Sequence, residues 1–346
     1  MASLMPQMDE TNKYILNFQK HCRNVYDPVN ILMKTRRTFI KRSLLGAGAL
    51  MILPSSGLPR TADPDIRISL AEWSFHRALE SGKMDHLDFP SVAKNKYGIT
   101  AVEYVNGFFG GKKMNFRDAA KNVAYLNEML RRSRDAGVVN HLLMCDDEGP
   151  LSSTNEKERI ESVDNHKKWI EAAKILGCAT VRVNLHGEGS AGDRKKASVD
   201  ALGRLGEFAK TMQINVVVEN HGSVTSNAEW LSDVMKQVGR DNVGTLPDFG
   251  NFCISHPWGT IQEGCSEMYD IYKGIELLLP YAKGVSAKTY DFDGNGEQPL
   301  MDYKRLLDIV KASGFKGYIG IEYEGINQPE DEGVRNTQKL LKKYLF

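Results

Sequence analysis

The chain has 346 residues, with 45 Lys+Arg against 44 Asp+Glu, and is 41% hydrophobic and 26% charged. Those proportions exclude collagen-like, coiled-coil and disordered chains, and a formal net charge of +1 supplies no field to attract nucleic acid, so a nucleic-acid partner is not expected. Five cysteines at irregular spacing, with no Cys-x-x-Cys pair, indicate neither a disulfide framework nor a zinc knuckle, and the cysteines are expected to be unpaired.

In chain order, the first segment to depart from a globular pattern is basic and then apolar. Arg36-Arg37-Thr38-Phe39-Ile40-Lys41-Arg42 precedes a mostly apolar run from Leu44 to Leu53, closed by Pro54-Ser55-Ser56-Gly57. The run is about half the length of a membrane-spanning helix. A basic block, a short apolar run and a polar exit in that order mark an export signal rather than an anchor. The paired arginines resemble the twin-arginine signal, read by an export machinery that accepts folded proteins. Residues 33–63 are therefore expected to be signal and linker, and the protein periplasmic or otherwise exported. Because Met33-Lys34 stands directly before the signal, residues 1–32 read as a non-native upstream extension, which leaves 64–346 as one catalytic domain.

From there short β-like runs alternate with longer helical ones. Strands are predicted at Ile66–Ala71, Ala101–Val105, Val138–Met144, Thr180–Leu185, Ile214–Glu219, Val243–Pro247, Gly284–Lys288 and Tyr318–Glu322. Amphipathic helices are predicted between them, among them Phe116–Ala136, Glu156–Leu176, Ser198–Met212, Ala228–Val238 and Tyr303–Ala312. Apolar residues three and four apart define the buried stripe of the second, as in Ile160, Val163, Trp169, Ile170, Ala173 and Leu176. Gly137, Gly177, Gly239 and Gly314 stand where helices stop. Strand–helix alternation argues for a parallel sheet. Eight repeats fit a (β/α)8 TIM barrel better than an open doubly wound sheet, which would carry a Gly-x-Gly-x-x-Gly turn after its first strand.

A barrel of this kind builds its active site from the C-terminal ends of the strands. Strand five ends in Glu219-Asn220-His221, strand six runs into Pro247-Asp248-Phe249, strand seven ends at Lys288, and strand eight ends in Glu322-Tyr323-Glu324. Carboxylates gathered at one mouth need a cation or a proton to neutralise them. The reading that follows is a divalent metal (Mn, Mg, Zn or Co) held by Glu219, Asp248 and Glu322. Ser286 and Lys288 share a strand face, as do Glu322 and Glu324. Lys288 is expected to donate to a developing oxyanion. Arg182, Asn184 and His186 alternate on strand four, and His221 follows Glu219 by two, so His186 and His221 are candidate substrate contacts. Glu72 and Trp73, at the end of strand one, suit a sugar, whose ring packs on an aromatic face while its hydroxyls bond polar neighbours. Asp291, Asp293, Asn295 and Glu297 look only superficially like a calcium loop.

Glu on strand five, Asp on strand six and Glu on strand eight together resemble the xylose-isomerase-like sugar isomerase/epimerase barrels, over residues from about 66 to 340. The resemblance implies a carbohydrate substrate and one divalent metal. It further implies that Glu219 and Glu322 act as a catalytic acid/base pair, with Lys288 beside them. Where those relatives often read His-x-Lys on strand seven this chain has Ser286-Ala287-Lys288, which leaves the fourth metal position without a protein ligand. Asn251 stands where many carry a second histidine and is placed among the substrate contacts. Proton abstraction beside a carbonyl leads to epimerisation, isomerisation or elimination. The alternatives outside that chemistry are a barrel that binds carbohydrate without catalysis and a metal-dependent phosphodiesterase of similar fold.

Overall fold

The computed structural model describes residues 65–262 and 264–346. Both the proposed signal and the segment upstream of it lie outside the described residues. Eight strands follow in order: β1 (Ile66–Ala71), β2 (Ala101–Val105), β3 (Val139–Met144), β4 (Thr180–Val183), β5 (Asn215–Glu219), β6 (Val243–Leu246), β7 (Val285–Thr289) and β8 (Gly317–Tyr323). A principal helix follows each strand: α1 (Phe89–Tyr97), α2 (Val123–Asp135), α3 (Glu156–Leu176), α4 (Ala191–Thr211), α5 (Ala228–Val238), α6 (Ile271–Leu278), α7 (Tyr303–Ala312) and α8 (Glu330–Leu345). The fold is a (β/α)8 TIM barrel.

The parallel sheet runs β6-β5-β4-β3-β2-β1-β8-β7, and the ring closes between β6 and β7 by a looser seam. There, Thr245 faces Ala282 and Asp248 faces Ser286 as isolated bridges. The Ser286 N–H donates to the Pro247 carbonyl at 2.9 Å and the Phe249 N–H to the Ser286 carbonyl at 3.1 Å. Proline has no N–H to give a ladder, so β6 stops at Leu246 rather than at Pro247 as predicted. Gly244 lets the two edges approach, since a Cβ there would lie 2.2 Å from the Tyr281 carbonyl oxygen.

Two apolar layers hold the barrel. Inside the ring, Ala71, Val105, Leu142, Met144, Val217 and Leu246 form a small cluster. Between sheet and helices lies the main core, in which Trp169, Phe89 and Tyr303 are among the largest buried side chains. Both faces of the strands are buried, as parallel sheets require.

Helix boundaries follow local capping. Asn155 accepts from the Lys157 and Glu158 N–H groups to start α3, and left-handed Gly177 ends it. The predicted helix Phe116–Ala136 is two pieces, a turn at Phe116–Ala119 and α2, because the Asn122 side chain caps a fresh start by accepting from the Tyr125 N–H. The predicted helix Ser198–Met212 begins earlier, at Ala191, where Ser190 supplies the cap.

The cysteine expectation is corrected. Cys253 and Cys265 form a disulfide across Cα atoms 5.8 Å apart. The loop after β6 doubles back so that Cys253 pairs antiparallel with Met268, a closure invisible in the spacing. Cys145 and Cys178 are free and buried; Cys22 lies outside the described residues. None of the described helices is long and apolar enough to cross a membrane.

Candidate active site

Arg182, Lys288, Glu322 and Glu324 from the strands line one cavity of about 1500 Å3 at the C-terminal mouth, and Glu219 and Asp248 lie buried next to them. Glu219 ends β5, Asp248 lies two residues beyond β6, and Lys288 and Glu322 are paired in register across β7 and β8. One oxygen each from Glu219, Asp248 and Glu322 lie within 4.8 Å of one another, all three side chains buried.

Each is held by named partners. Arg182, from β4, places Nε 3.0 Å from Glu219 Oε2 and donates through a terminal nitrogen to Asp146 at 2.5 Å. Asn251 bridges two members of the cluster: its amide donates to Glu219 Oε1 at 2.9 Å, and its carbonyl accepts from Lys288 Nζ at 3.1 Å. Asp248 is anchored through its backbone, since its N–H donates to Asn220 Oδ1 at 2.8 Å while the Asn220 amide donates to its carbonyl. The Gly250 N–H donates to Asp248 Oδ1, but Oδ2, fully buried, has no hydrogen-bond partner. Lys288 Nζ sits 3.2 Å from Glu322 Oε1, 3.2 Å from Glu324 Oε2 and 3.9 Å from Asp248 Oδ2. Ser286 donates to Glu322 Oε2 at 3.2 Å.

Burial raises the Glu219 carboxyl well above its ordinary range against the opposing pull of Arg182, and raises Asp248 to about 7 against that of Lys288. Burial acts the other way on Lys288, but Asp248, Glu324 and Glu322 outweigh it and keep the ammonium charged. His221 is held well below its usual value by burial and by Arg182 and Lys288, and burial lowers His186. Both imidazoles are therefore neutral at pH 7.

The expected site residues divide. Glu219, Asp248, Lys288 and Glu322 come together as expected. His186, His221 and Asn251 line the cavity, although both ends of the Asn251 amide already serve the cluster. Glu72 is corrected: its carboxylate accepts from the Val105 N–H at 3.0 Å and pairs with His86 Nδ1 at 2.5 Å, so it braces the β1–β2 wall and does not reach the cavity. Trp73 reaches the cavity, but its indole N–H donates to Glu324 and its ring stacks on His76 at 4.9 Å and Phe108 at 5.9 Å. Asp291 accepts from the Ile326, Asn327 and Gln328 N–H groups and from the Tyr323 hydroxyl, so the acidic loop is a brace between the β7 and β8 loops. Sequence reasoning missed Asp146, for which an acidic pair just past a strand end was the available signal, and Trp258, for which there was none.

The residues fit a divalent cation. Three convergent carboxylates offer oxygen donors, and the buried Asp248 Oδ2 has no hydrogen-bond partner, with only the Lys288 ammonium 3.9 Å away. An all-oxygen set with no histidine suits Mg2+ or Mn2+ better than Zn2+. Glu219, Asp248 and Glu322 would hold the ion, with Lys288 and Arg182 beside them and also paired to Glu324 and Asp146.

Comparison with known proteins agrees with this architecture. Residues 93–344 match the family described as xylose isomerase-like TIM barrel. Among solved structures, D-psicose 3-epimerase, crystallised in the presence of D-fructose, superposes with a TM-score of 0.57 at 15% identity, covering 81% of this chain and 99% of that one. The 3-keto-D-glucoside 4-epimerase of E. coli gives 0.57 at 14% identity over 81% and 99%. A sugar phosphate isomerase/epimerase from Parabacteroides distasonis gives 0.58 at 16% over 84% and 98%. At these identities the likeness is one of fold. The C-glycoside deglycosidase alpha subunit of Arthrobacter globiformis is 36% identical over 66 residues, which is 19% of this chain and 18% of that protein.

Proposed function

Since the chain belongs to the xylose isomerase-like TIM barrel family, we propose that it is a sugar isomerase or epimerase that moves a proton at the carbon beside the carbonyl of a sugar or keto-sugar. The observation that carries this reading is the convergence of buried Glu219 with Glu322 and the charged Lys288, of which Glu322 and Lys288 line the mouth cavity. A divalent cation bound by Glu219, Asp248 and Glu322 would polarise the substrate carbonyl and stabilise negative charge on its oxygen. Glu219, oriented by Arg182 and Asn251, and Glu322, oriented by Ser286 and Lys288, are the proton-transfer pair. One takes the proton from carbon and the other returns one, to the opposite face for epimerisation or to the neighbouring carbon for isomerisation. Lys288 donates to the oxyanion. The segment shared with the C-glycoside deglycosidase subunit favours a second outcome, in which loss of the proton expels a substituent one carbon further on and the reaction becomes an elimination.

The test is turnover and solvent exchange in glutamine variants. Glu219→Gln and Glu322→Gln should each lose on the order of 10²-fold or more in turnover; if one glutamate serves each face, each variant should still exchange in D2O the single stereoisomer that the remaining glutamate faces while failing to interconvert the pair. Asp248→Ala should lower bound divalent metal, measured by mass spectrometry, together with activity. Near-normal turnover in both glutamine variants would remove the reading.

We also propose that the protein is exported through the Arg36-Arg37 signal. The Cys253–Cys265 disulfide supports this, because disulfides persist in oxidising compartments.

A further inference from the structure

Trp258 is 54% exposed, whereas among the described residues every other aromatic side chain except Phe346 is buried or half-buried. It lines the catalytic cavity, and its protein contacts are angled. The His186 ring meets it at 5.4 Å and 87°, and the His221 ring at 5.7 Å and 59°. Neither lies flat on the indole, so a face remains available, whereas Trp73 is stacked at 17° on His76 and at 26° on Phe108. The loop carrying Trp258 is also fixed in advance. The Cys253–Cys265 disulfide ties its ends, and the Ser223 N–H donates to the His256 carbonyl. Gly222 and Gly259 bring it against the β5 loop so closely that a Cβ on Gly222 would lie 2.1 Å from the Pro257 carbonyl oxygen. A preorganised exposed aromatic face inside a cavity is a binding platform. The volume agrees: about 1500 Å3 exceeds the roughly 300–1,000 Å3 that serves a drug-sized ligand, and a single sugar ring is smaller than that.

We propose that the substrate is a glycoside whose sugar ring bears a keto group, with that ring at the carboxylate–lysine cluster and a second ring, joined through the glycosidic bond, stacked on Trp258. This rests on the reading of the cluster as the sugar site and names its substrate class. The second ring presents an apolar face, which either an aromatic aglycone or a second sugar supplies.

Titration calorimetry on the metal-replete protein tests it with unreactive analogues that lack the keto group: methyl D-glycosides of the gluco, galacto and manno series, the phenyl glycoside of whichever binds tightest, and the matching disaccharide. At least one two-ring probe should bind about five-fold or more tighter than its methyl counterpart. A gain for the phenyl glycoside alone identifies an aromatic aglycone, and a gain for the disaccharide a second sugar. Trp258→Ala should abolish the gain and leave methyl-glycoside binding unchanged, while Trp258→Phe should keep most of it. No gain in the wild type, or a gain that survives Trp258→Ala, overturns the proposal. If Asp248→Ala leaves methyl-glycoside binding unaltered, the reading of the cluster fails instead; if no methyl glycoside binds, both fail.

Discussion

Glu103 stands in the middle of β2, where every residue is buried. It accepts from Ser69, and Gly320 opposite it leaves the room its carboxyl occupies, since a Cβ there would lie 2.6 Å from Glu103 Oε1. Burial raises this carboxyl to about 7. The folded protein thus holds a proton that the unfolded chain releases near pH 4, so the contribution of Glu103 to stability falls as pH rises from about 4 through 7 and is flat beyond. His141 works in the opposite sense, because burial lowers it to about 4 and folding favours its neutral form as pH climbs towards 6.5. Comparison with Glu103→Gln isolates the first effect, as glutamine can still accept from Ser69 but cannot ionise. The melting temperature of the variant relative to wild type should rise between pH 5 and pH 8; a fall would contradict the assignment. The cluster carboxylates were readable as acids at the ends of apolar strands, whereas Glu103, in mid-strand, was not singled out. What the sequence did not distinguish was a strand-end acid facing the mouth, such as Glu322, from one turned to brace a wall, such as Glu72. That choice depends on where His86 lands, 14 residues further on.

At the scale of elements, the strands were legible because parallel strands buried on both faces read as short continuous apolar runs, and several helices because their caps and glycine stops are local. The β6–α6 loop was not. It carries Asn251, Cys253, Trp258 and Cys265, and its path is set by an antiparallel return and by glycine-to-backbone contact with the β5 loop, neither of which has a periodic signature. The disulfide there closes a short loop, for which stabilisation of about 3 kcal/mol is the upper expectation. Replacing Cys253 and Cys265 together by serine should lower stability by up to that amount. It should also weaken binding of a two-ring ligand more than it slows turnover, because the loop positions Trp258 while Glu219, Lys288 and Glu322 hang from strands. A loss confined to turnover, with affinity intact, would place the loop's role elsewhere.

For the whole molecule, export and architecture can be tested separately. Residues 33–65 fused to a folded reporter should direct its export by the folded-protein route, and replacing Arg36 and Arg37 by lysine should abolish it; unimpaired passage by the general unfolded route would count against the signal. The barrel itself is a ring with a clasp. Its loosest junction, β6 to β7, is also where the site is divided: Asp248 sits on one edge, and Lys288 and Glu322 on the other. A ligand gripped from both edges must favour the fastened state over a parted one, so affinity and ring closure become linked quantities. Changes far from the chemistry that loosen the clasp, such as a side chain at Gly244 pushing on the Tyr281 carbonyl, would then present as weakened substrate affinity even though every group that touches the sugar is unaltered.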